Sequence, residues 1–497
     1  MAHGRCCGVS VIEYSDLETL EIVPDPVSLI ESMRAVGYTT ESAIADLVDN
    51  SISAEAEHIE IEYDATGEPY VAILDDGRGM SAPELTQAMR HGSRNPVDLR
   101  HPNDLGRFGL GLKTASLSQC RVLTVISKQG GGLSARCWNL DVVQESGRWL
   151  VVVPSPEALR KLPMYGRLDA LDSGTLVVWQ DFDRLSAGST NLVREFTTKF
   201  SGLREHLALV FHRFTSKEDG ASPVKIKLNG LALPSRDPFI RGNSYRQPLE
   251  GQVIRHERGQ VRVTPHVLPP VSHLSQDDIE TAGGLEGLRG TQGFYVYRNR
   301  RLVIWGTWFR LVPKQEFFKL TRVQVDIPNT FDDLWSLDIK KSAAQPPEFI
   351  RNRLTELIPH FAEASKRTVT YPGRRTGTAA YVPVWSRSEP AHGRFRYDVN
   401  RDHPALVALA REMADAQRRQ LDVILDLISS ALPLDGIYAD MCSDRRSRGD
   451  DYALESLVKL ASCLQETTGI ALSAILDTDP FIRHPGLRDR IIQKVQS

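Results

Sequence analysis

Cysteine is scarce in this chain: six in 497 residues, at Cys6, Cys7, Cys120, Cys137, Cys442 and Cys463. None forms a C-x-x-C pair or a Cys/His cluster at zinc spacing, which argues against a disulfide framework and a structural zinc. Net charge is also nearly lacking, with 60 Lys plus Arg against 63 Asp plus Glu and a balance of −3. That excludes a globally basic nucleic-acid coat and a strongly acidic solvating protein, and leaves local patches open. No uninterrupted apolar run approaches the ~18 residues of a membrane span. The first twenty residues lack the apolar stretch of a signal peptide, so a soluble cytoplasmic protein is expected. Repeats and long low-complexity tracts are missing too. What is present is ordinary globular composition, 41% hydrophobic and 25% charged, enough for sizeable cores. The length suggests two to four domains.

Along the chain, 27–36 and 40–53 have helical patterning, and HIEIEY (58–63) alternates as a half-buried strand. YVAIL (70–74) is a short apolar run that stops in the glycine turn DDGRGM. A helix started by Pro83 is followed by the polar stretch GSRNPVDLRHPNDLG, long enough to suggest a functional lid. A helix over 109–118 then leads into the strand-like runs RVLTVISK, LSARCWNL, WLVVVP and GTLVVWQDF. Next come a long helix over 192–214, KIKLNGLAL, two strands in GFYVYRNRRLVIWG, the strand TRVQVDIP and the helix PEFIRNRLTELIPHFAEASKR. Residues 366–397 lack periodicity and read as a linker; from 402 onward the pattern is helical.

Three constellations carry chemistry. At 100° per residue, Ile44, Leu47, Val48 and Ile52 share one stripe of the helix ESAIADLVDNSIS, while Asp46, Asp49 and Asn50 lie opposite. Asp46 and Asn50 sit one turn apart, either as part of a solvated polar face or as oxygen ligands for a water and Mg²⁺. Asp75-Asp76-Gly77-Arg78-Gly79-Met80 follows a buried strand. It reads as an ordinary tight turn, or as a place where glycines admit a flat ligand while Asp75 accepts a hydrogen bond. A carboxylate there selects adenine, which offers an N–H₂ donor, and rejects guanine, whose carbonyl would leave the charge unpaired. The third element, Gly106-Arg107-Phe108-Gly109-Leu110-Gly111-Leu112-Lys113-Thr114, nearly matches a P-loop, but Leu112 intrudes and no strand leads into it. A glycine-rich loop opening a helix can nonetheless hold phosphates.

In order and spacing, Asp-x-x-x-Asn, Asp-x-Gly-x-Gly, Gly-x-x-Gly-x-Gly and Gly174-Thr175 resemble the GHKL ATPases: gyrase B, the large heat-shock chaperones, histidine kinases and MutL. The run Ala43 to Ser51 with DDGRGM is most similar to the MORC branch, and the resemblance covers about residues 27–365. It implies an α+β chain: a Bergerat-type ATP-binding α/β sandwich over 1–188, an S5-like α/β transducer over 189–365, a basic and aromatic linker over 366–400, and a helical C-terminal region over 401–497. ATP and Mg²⁺ are the implied cofactors. By position, Asp46 orients or deprotonates the attacking water and Asn50 binds Mg²⁺. Asp75 takes the adenine amino group, with Gly77, Gly79 and Met80 in the turn beside the base. Gly106, Gly109 and Gly111 form the lid over the phosphates, Lys113 contacts them, and Thr175 reaches adenine. Either Lys340 or Lys341 in WSLDIKKS occupies the place of the transducer lysine that meets the γ-phosphate. One departure matters, because the family usually carries Glu where this chain has Asp46. The shorter acid suggests slow turnover or a shifted helix, since about 1 Å of misplacement costs on the order of 100-fold in rate. Glu41, on another helical face, and Asp49 are substitutes.

The expected function is a Mg-dependent ATPase acting as a dimeric clamp or switch, in DNA-related defence, restriction-modification or repair. DNA, partner proteins of such a system and a second copy of the chain are the expected partners. Arg289, Arg298, Arg300, Arg301 and Arg310 form a basic group. The linker adds Lys366, Arg367, Arg374, Arg375, Arg387, Arg394 and Arg396 among Tyr371, Tyr381, Trp385 and Phe395. Such a stretch suits phosphate neutralisation and base stacking, or is a solvated linker. The alternative function is a chaperone-like remodelling ATPase without nucleic acid. A histidine kinase lacks its phospho-acceptor helix here, and neither a topoisomerase module nor nuclease clusters follow the transducer segment.

Overall fold

The computed structural model describes residues 20, 22–35, 37–92, 105, 111–186, 191–217, 222–332, 334–335, 345–370, 382–391, 394–437, 450–481, 484 and 487–496. It divides into two compact units. The described residues up to Arg236, together with Arg298–Arg301, make one; Asp237–Tyr297, Leu302–Ser336 and the described residues after Ala344 make the other.

The first unit is a mixed α/β structure on a seven-stranded sheet. Its strands are β1 (His58–Asp64), β2 (Tyr70–Asp75), β3 (Val122–Gln129), β4 (Gly132–Asn139), β5 (Gly174–Gln180), β6 (Lys225–Leu228) and β7 (Leu231–Ala232), in the order β4-β3-β5-β2-β1-β6-β7. Every neighbouring pair is antiparallel except β1 and β6. The central strand β2 buries Val71, Ala72, Ile73 and Leu74, each worth about 1.5–3 kcal/mol for the larger side chains. Because side chains alternate, Ala72 and Leu74 join Ile126, Leu176 and Val178 in a core under the short helices Pro156–Leu159 and Tyr165–Ala170. Val71, Ile73 and Asp75 point to the other face, where the helices that build the site lie.

Those helices are α1 (Pro26–Arg34), α2 (Thr40–Ser53), α3 (Ala82–Met89) and α4 (Gly111–Leu117). Asp25 caps α1 through the Ser28 amide and Thr39 caps α2 through the Ser42 amide. Ser81 and Glu84 form a capping box on α3. The buried face of α2 holds Ile44, Leu47 and Val48, as the periodicity predicts, joined by Ala43 and Ala45, whereas Ile52 of the predicted stripe is only half-buried.

The second unit is also α/β. Its six-stranded sheet comprises β8 (Gln247–Pro248), β9 (Gln252–His256), β10 (Gly259–Val267), β11 (Gly293–Arg298), β12 (Arg301–Thr307) and β13 (Thr321–Ile327). The order is β12-β11-β13-β10-β8, with β9 also on β10. Helix Glu348–Thr370 packs on β10 and β13 and buries Ile350, Leu354 and Ile358, with Pro359 inside it. Near the end of the chain, helices Asp450–Thr468, Leu472–Ile475 and Arg488–Gln496 share a core of Leu457, Ala461, Ile475, Leu476, Phe481 and Ile491.

Four segments depart from the sequence reading. The helix expected over 192–214 is three, Leu192–Phe200, Leu203–Val210 and His212–Thr215, the first break falling at Gly202, a poor helix former. WLVVVP makes only a single bridge, Val152 to Cys137, since Leu150, Val152 and Val153 stay exposed and Pro154 lacks an N–H. The stretch read as a linker holds an antiparallel hairpin, β14 (Trp385–Ala391) and β15 (Arg394–Val399). Finally, KIKL, expected beyond a boundary at 188, is β6 and completes the first sheet.

Candidate active site

Asp75 ends β2 with its carboxylate only 5% exposed. Three donors meet it: Ser51 Oγ gives 2.8 Å to Oδ2, while the Gly77 and Thr175 amides give 3.0 and 3.2 Å to Oδ1. Burial pushes the Asp75 carboxyl up to about 6, although all three donors pull it down. A group so placed is ionised at neutral pH and still has lone-pair capacity for a further donor. Its neighbour Asp76 is otherwise engaged, accepting from the Glu57 and His58 amides at 2.8 Å and pairing with His58 Nδ1 at 2.7 Å. The two adjacent aspartates thus divide their work: Asp76 fixes the start of β1, and Asp75 faces the site.

Around Asp75 the backbone is packed flush. Gly79 adopts φ +67, and a Cβ there would lie 2.0 Å from the Lys128 carbonyl oxygen. A Cβ on Gly77 would lie 2.8 Å from the Ala54 carbonyl oxygen. Only glycine satisfies either position. Ser127 on β3 knits the turn to β5: its Oγ accepts the Met80 amide at 2.8 Å, donates to the Gly174 carbonyl at 3.1 Å, and lies 2.9 Å from Thr175 Oγ1. Hydroxyls and a carboxylate converge over a close-packed backbone, an arrangement chemically suited to the edge of a flat ring bearing an exocyclic amine.

On α2, Asp46 is half-buried and Asn50 exposed, so both are reachable. The Tyr38 hydroxyl donates to Asp46 Oδ2 at 3.1 Å. Burial, and then the Asp46 charge, hold the Tyr38 phenol far above its usual range, so it remains a donor. Asp49 corrects the sequence reading, which grouped it with Asp46 and Asn50: it is only 4% exposed. Its carboxylate accepts from Arg301 Nε at 3.0 and 3.2 Å, across 252 residues of sequence. Removing either partner would leave a buried charge uncompensated, which costs about 3–5 kcal/mol. Ser127 and Tyr38 lie in no recognisable spacing, Ser51 closes the run from Ala43 without showing its role, and Arg301 was read only as part of a basic group.

Lys113 on α4 is 1% exposed, and its Nζ donates 2.8 Å to the Ala88 carbonyl at the end of α3. Burial pushes this lysine down to about 8. In this structure its ammonium serves the α3 terminus through one of its three N–H donors. Gly111 starts α4 near Asp46; a Cβ on it would lie 3.7 Å from Asp46 Oδ2. Gly106, Gly109, Lys340 and Lys341 lie outside the described residues.

The basic group of the sequence reading also needs correcting. Arg298 and Arg301 are each 4% exposed, and Arg300 lies over the Phe214 ring and donates to the Arg213 carbonyl. These three guanidinium groups are spent inside the first unit and do not form a solvent-facing patch.

Residues 38–175 match the family model described as Histidine kinase-, DNA gyrase B-, and HSP90-like ATPase. The match begins at Tyr38 and ends at Thr175, so it encloses Asp46, Asn50, Asp75 and Lys113. The chain is 34% identical over 121 residues to "ATPase morc-1" of Caenorhabditis elegans, covering 24% of this chain and 14% of that protein. It is 32% identical over 137 residues to "DNA mismatch repair protein MutL" of Aeromonas hydrophila, covering 26% and 21%. The MutL of Tolumonas auensis is 30% identical over 146 residues, covering 28% and 23%. The chain therefore matches less than a quarter of the length of these curated relatives.

Proposed function

We propose that this chain, whose residues 38–175 belong to the histidine kinase-, DNA gyrase B- and HSP90-like ATPase family, is an ATP-hydrolysing conformational switch. The observation that carries the reading is Asp75: a buried carboxylate held by three donors beside a backbone that admits no side chain at Gly77 or Gly79. The adenine amino group supplies the further donor that Asp75 can accept, and Thr175 and Ser127 fix the strand edge next to it. Asp46 orients the attacking water, with its carboxylate reachable and steadied by Tyr38. Asn50 presents an exposed carboxamide oxygen, a hard ligand suited to Mg²⁺, which when bound would neutralise charge on the phosphates. Gly106, Gly109, Gly111 and Lys113 are assigned to the phosphates, and Lys340 or Lys341 to the γ-phosphate.

A switch follows if the protein's states differ in their contacts with the γ-phosphate, since a ligand shifts only the states it distinguishes. We read the second unit as an S5-like transducer and the assembled state as an ATP-dependent dimer. The relatives' names, an ATPase and a DNA mismatch repair protein, make DNA the proposed partner. Its contact is assigned to the β14–β15 hairpin, where Arg387 and Arg396 are exposed, rather than to the buried arginines of 298–301. The deciding experiment measures ATP binding and hydrolysis separately for the wild type and Asp46→Asn. Binding by both, with hydrolysis by the variant reduced to a measurable remainder, is expected; a fully active variant removes Asp46 from its role. Sizing with a non-hydrolysable ATP analogue tests the dimer, and DNA binding that is indifferent to salt would remove the nucleic-acid assignment.

A further inference from the structure

Asp46 is approached from two sides. The Tyr38 hydroxyl hydrogen-bonds Oδ2 at 3.1 Å, and Arg301 Nη2 stands 4.0 Å from Oδ1. The second distance is short enough for strong Coulomb attraction in a site 12% exposed, yet too long for a direct hydrogen bond. What keeps the guanidinium at that distance is Asp49, one turn further along α2, whose carboxylate takes Arg301 Nε at 3.0 and 3.2 Å. The arginine is further restrained by the Phe211 ring, 5.4 Å beneath its Cζ. Its chain neighbours are pinned as well: Arg298 donates to the Leu105 carbonyl at 2.9 Å, and Arg300 lies over Phe214.

We infer that Arg301 is a positioning residue for Asp46, held at working distance by Asp49. The inference rests on the ATPase reading above. Asp46 and Asp49 are acids three residues apart on one helix, and without a shared cation they would repel each other at close quarters. Arg301 supplies that cation and biases the short Asp46 side chain toward one orientation. At 4.0 Å from Asp46 Oδ1, the guanidinium acts on that oxygen through its charge rather than through a hydrogen bond. Asp49 is therefore as necessary as Arg301: without it the guanidinium loses the anchor that sets its distance from Asp46.

The test is a double-mutant cycle on the full chain, with ATP hydrolysis and ATP binding read separately and folding monitored by thermal melting. Arg301→Gln and Asp49→Asn are each expected to lower kcat about 10- to 100-fold while Kd for ATP changes less than about 3-fold. Arg301→Lys should recover part of the loss. In an Asp46→Asn background, Arg301→Gln should cost less than about 3-fold more, because its effect runs through a group already removed. Full additivity in the cycle, or a kcat for Arg301→Gln equal to the wild type, overturns the inference while leaving the ATPase reading intact. If a single variant fails to fold, Asp49→Asn with Arg301→Gln removes both charges together and is read by the same criteria. A wild type that binds ATP without hydrolysing it overturns both readings at once.

Discussion

Asp75 and Thr175 stand directly opposite each other on adjacent antiparallel strands, and the Thr175 amide closes the gap by donating 3.2 Å to Asp75 Oδ1. A main-chain donor thus secures the carboxylate proposed to select the nucleotide, and substitution of the Thr175 side chain cannot remove it. The Thr175 hydroxyl, 2.9 Å from Ser127 Oγ, is the part of this residue proposed to meet the ligand.

Replacing Asp75 by Asn separates binding from stability. The carboxamide oxygen of the variant can still accept from Gly77 and Thr175, so the fold should survive, but its amide nitrogen now faces the adenine amine. ATP affinity should fall at least ~10- to 100-fold, the value of about 1.5–3 kcal/mol for a hydrogen bond to a charged group. Titration with a fluorescent ATP analogue measures it; unchanged affinity would remove Asp75 from adenine recognition.

The same carboxylate sets a pH dependence. Its folded value, about 6, lies above the ordinary 3.8, so the folded state binds more protons between those limits. The stability this group contributes is complete below about pH 4 and is lost as pH rises through 6, by about 3 kcal/mol. Asp75→Asn should therefore be more stable than the wild type at pH 7, by up to about 3 kcal/mol in denaturant titrations, and the difference should vanish near pH 4. ATP affinity of the wild type should run the opposite way and weaken as pH drops through about 6, where the acceptor is lost.

Glycine substitutions should sort by what a Cβ would strike. Gly79→Ala forces a left-handed backbone and a 2.0 Å approach to the Lys128 carbonyl, and should cost about 3 kcal/mol or more. Gly131, with φ +79 but nothing within 4 Å, should cost only about 1–2 kcal/mol as Ala. Equal losses in chemical denaturation would show that conformation alone, rather than close approach, fixes Gly79.

Arg34 ties α1 to the site. It is 2% exposed, donates Nε to the Leu117 carbonyl at 2.7 Å and meets Asp183 at 2.5 Å. Arg34→Met should destabilise by about 1–3 kcal/mol, because the Leu117 carbonyl loses its buried donor and Asp183, 31% exposed, is left with Arg121 at 3.6 Å as its cation. Adding Asp183→Asn should return part of that loss, and a denaturant series of both variants reads it directly.

Much of the site was legible because it is carried by short-range chemistry. A strand that ends in Asp-x-Gly-x-Gly and a helix with Asp46 and Asn50 one turn apart show themselves in spacing alone. The partners of these residues did not, for two reasons. Ser51, Ser127 and Tyr38 are common residues whose roles arise only when strands or helices pack. Arg301 meets Asp49 over 252 residues, a distance no local pattern spans. Charge counting misread the same arginines as surface, since composition registers a guanidinium without its surroundings. The fold class was visible in alternation and apolar runs, whereas β9, β10 and the β14–β15 hairpin lie in segments too polar to stand out.

The parallel pairing of β1 with β6 also governs how this unit comes into being. β1 is followed at once by its antiparallel neighbour β2, but its other edge waits for residues 225–228. Until those residues leave the ribosome, a strand bearing Ile59 and Ile61 offers an unsatisfied row of amides and carbonyls, a template for another chain. A polypeptide cut near 188 carries that open edge permanently and invites aggregation; one cut at Arg236 closes the edge but leaves the buried Asp49 without Arg301, so a sound fragment for expression extends beyond Arg301.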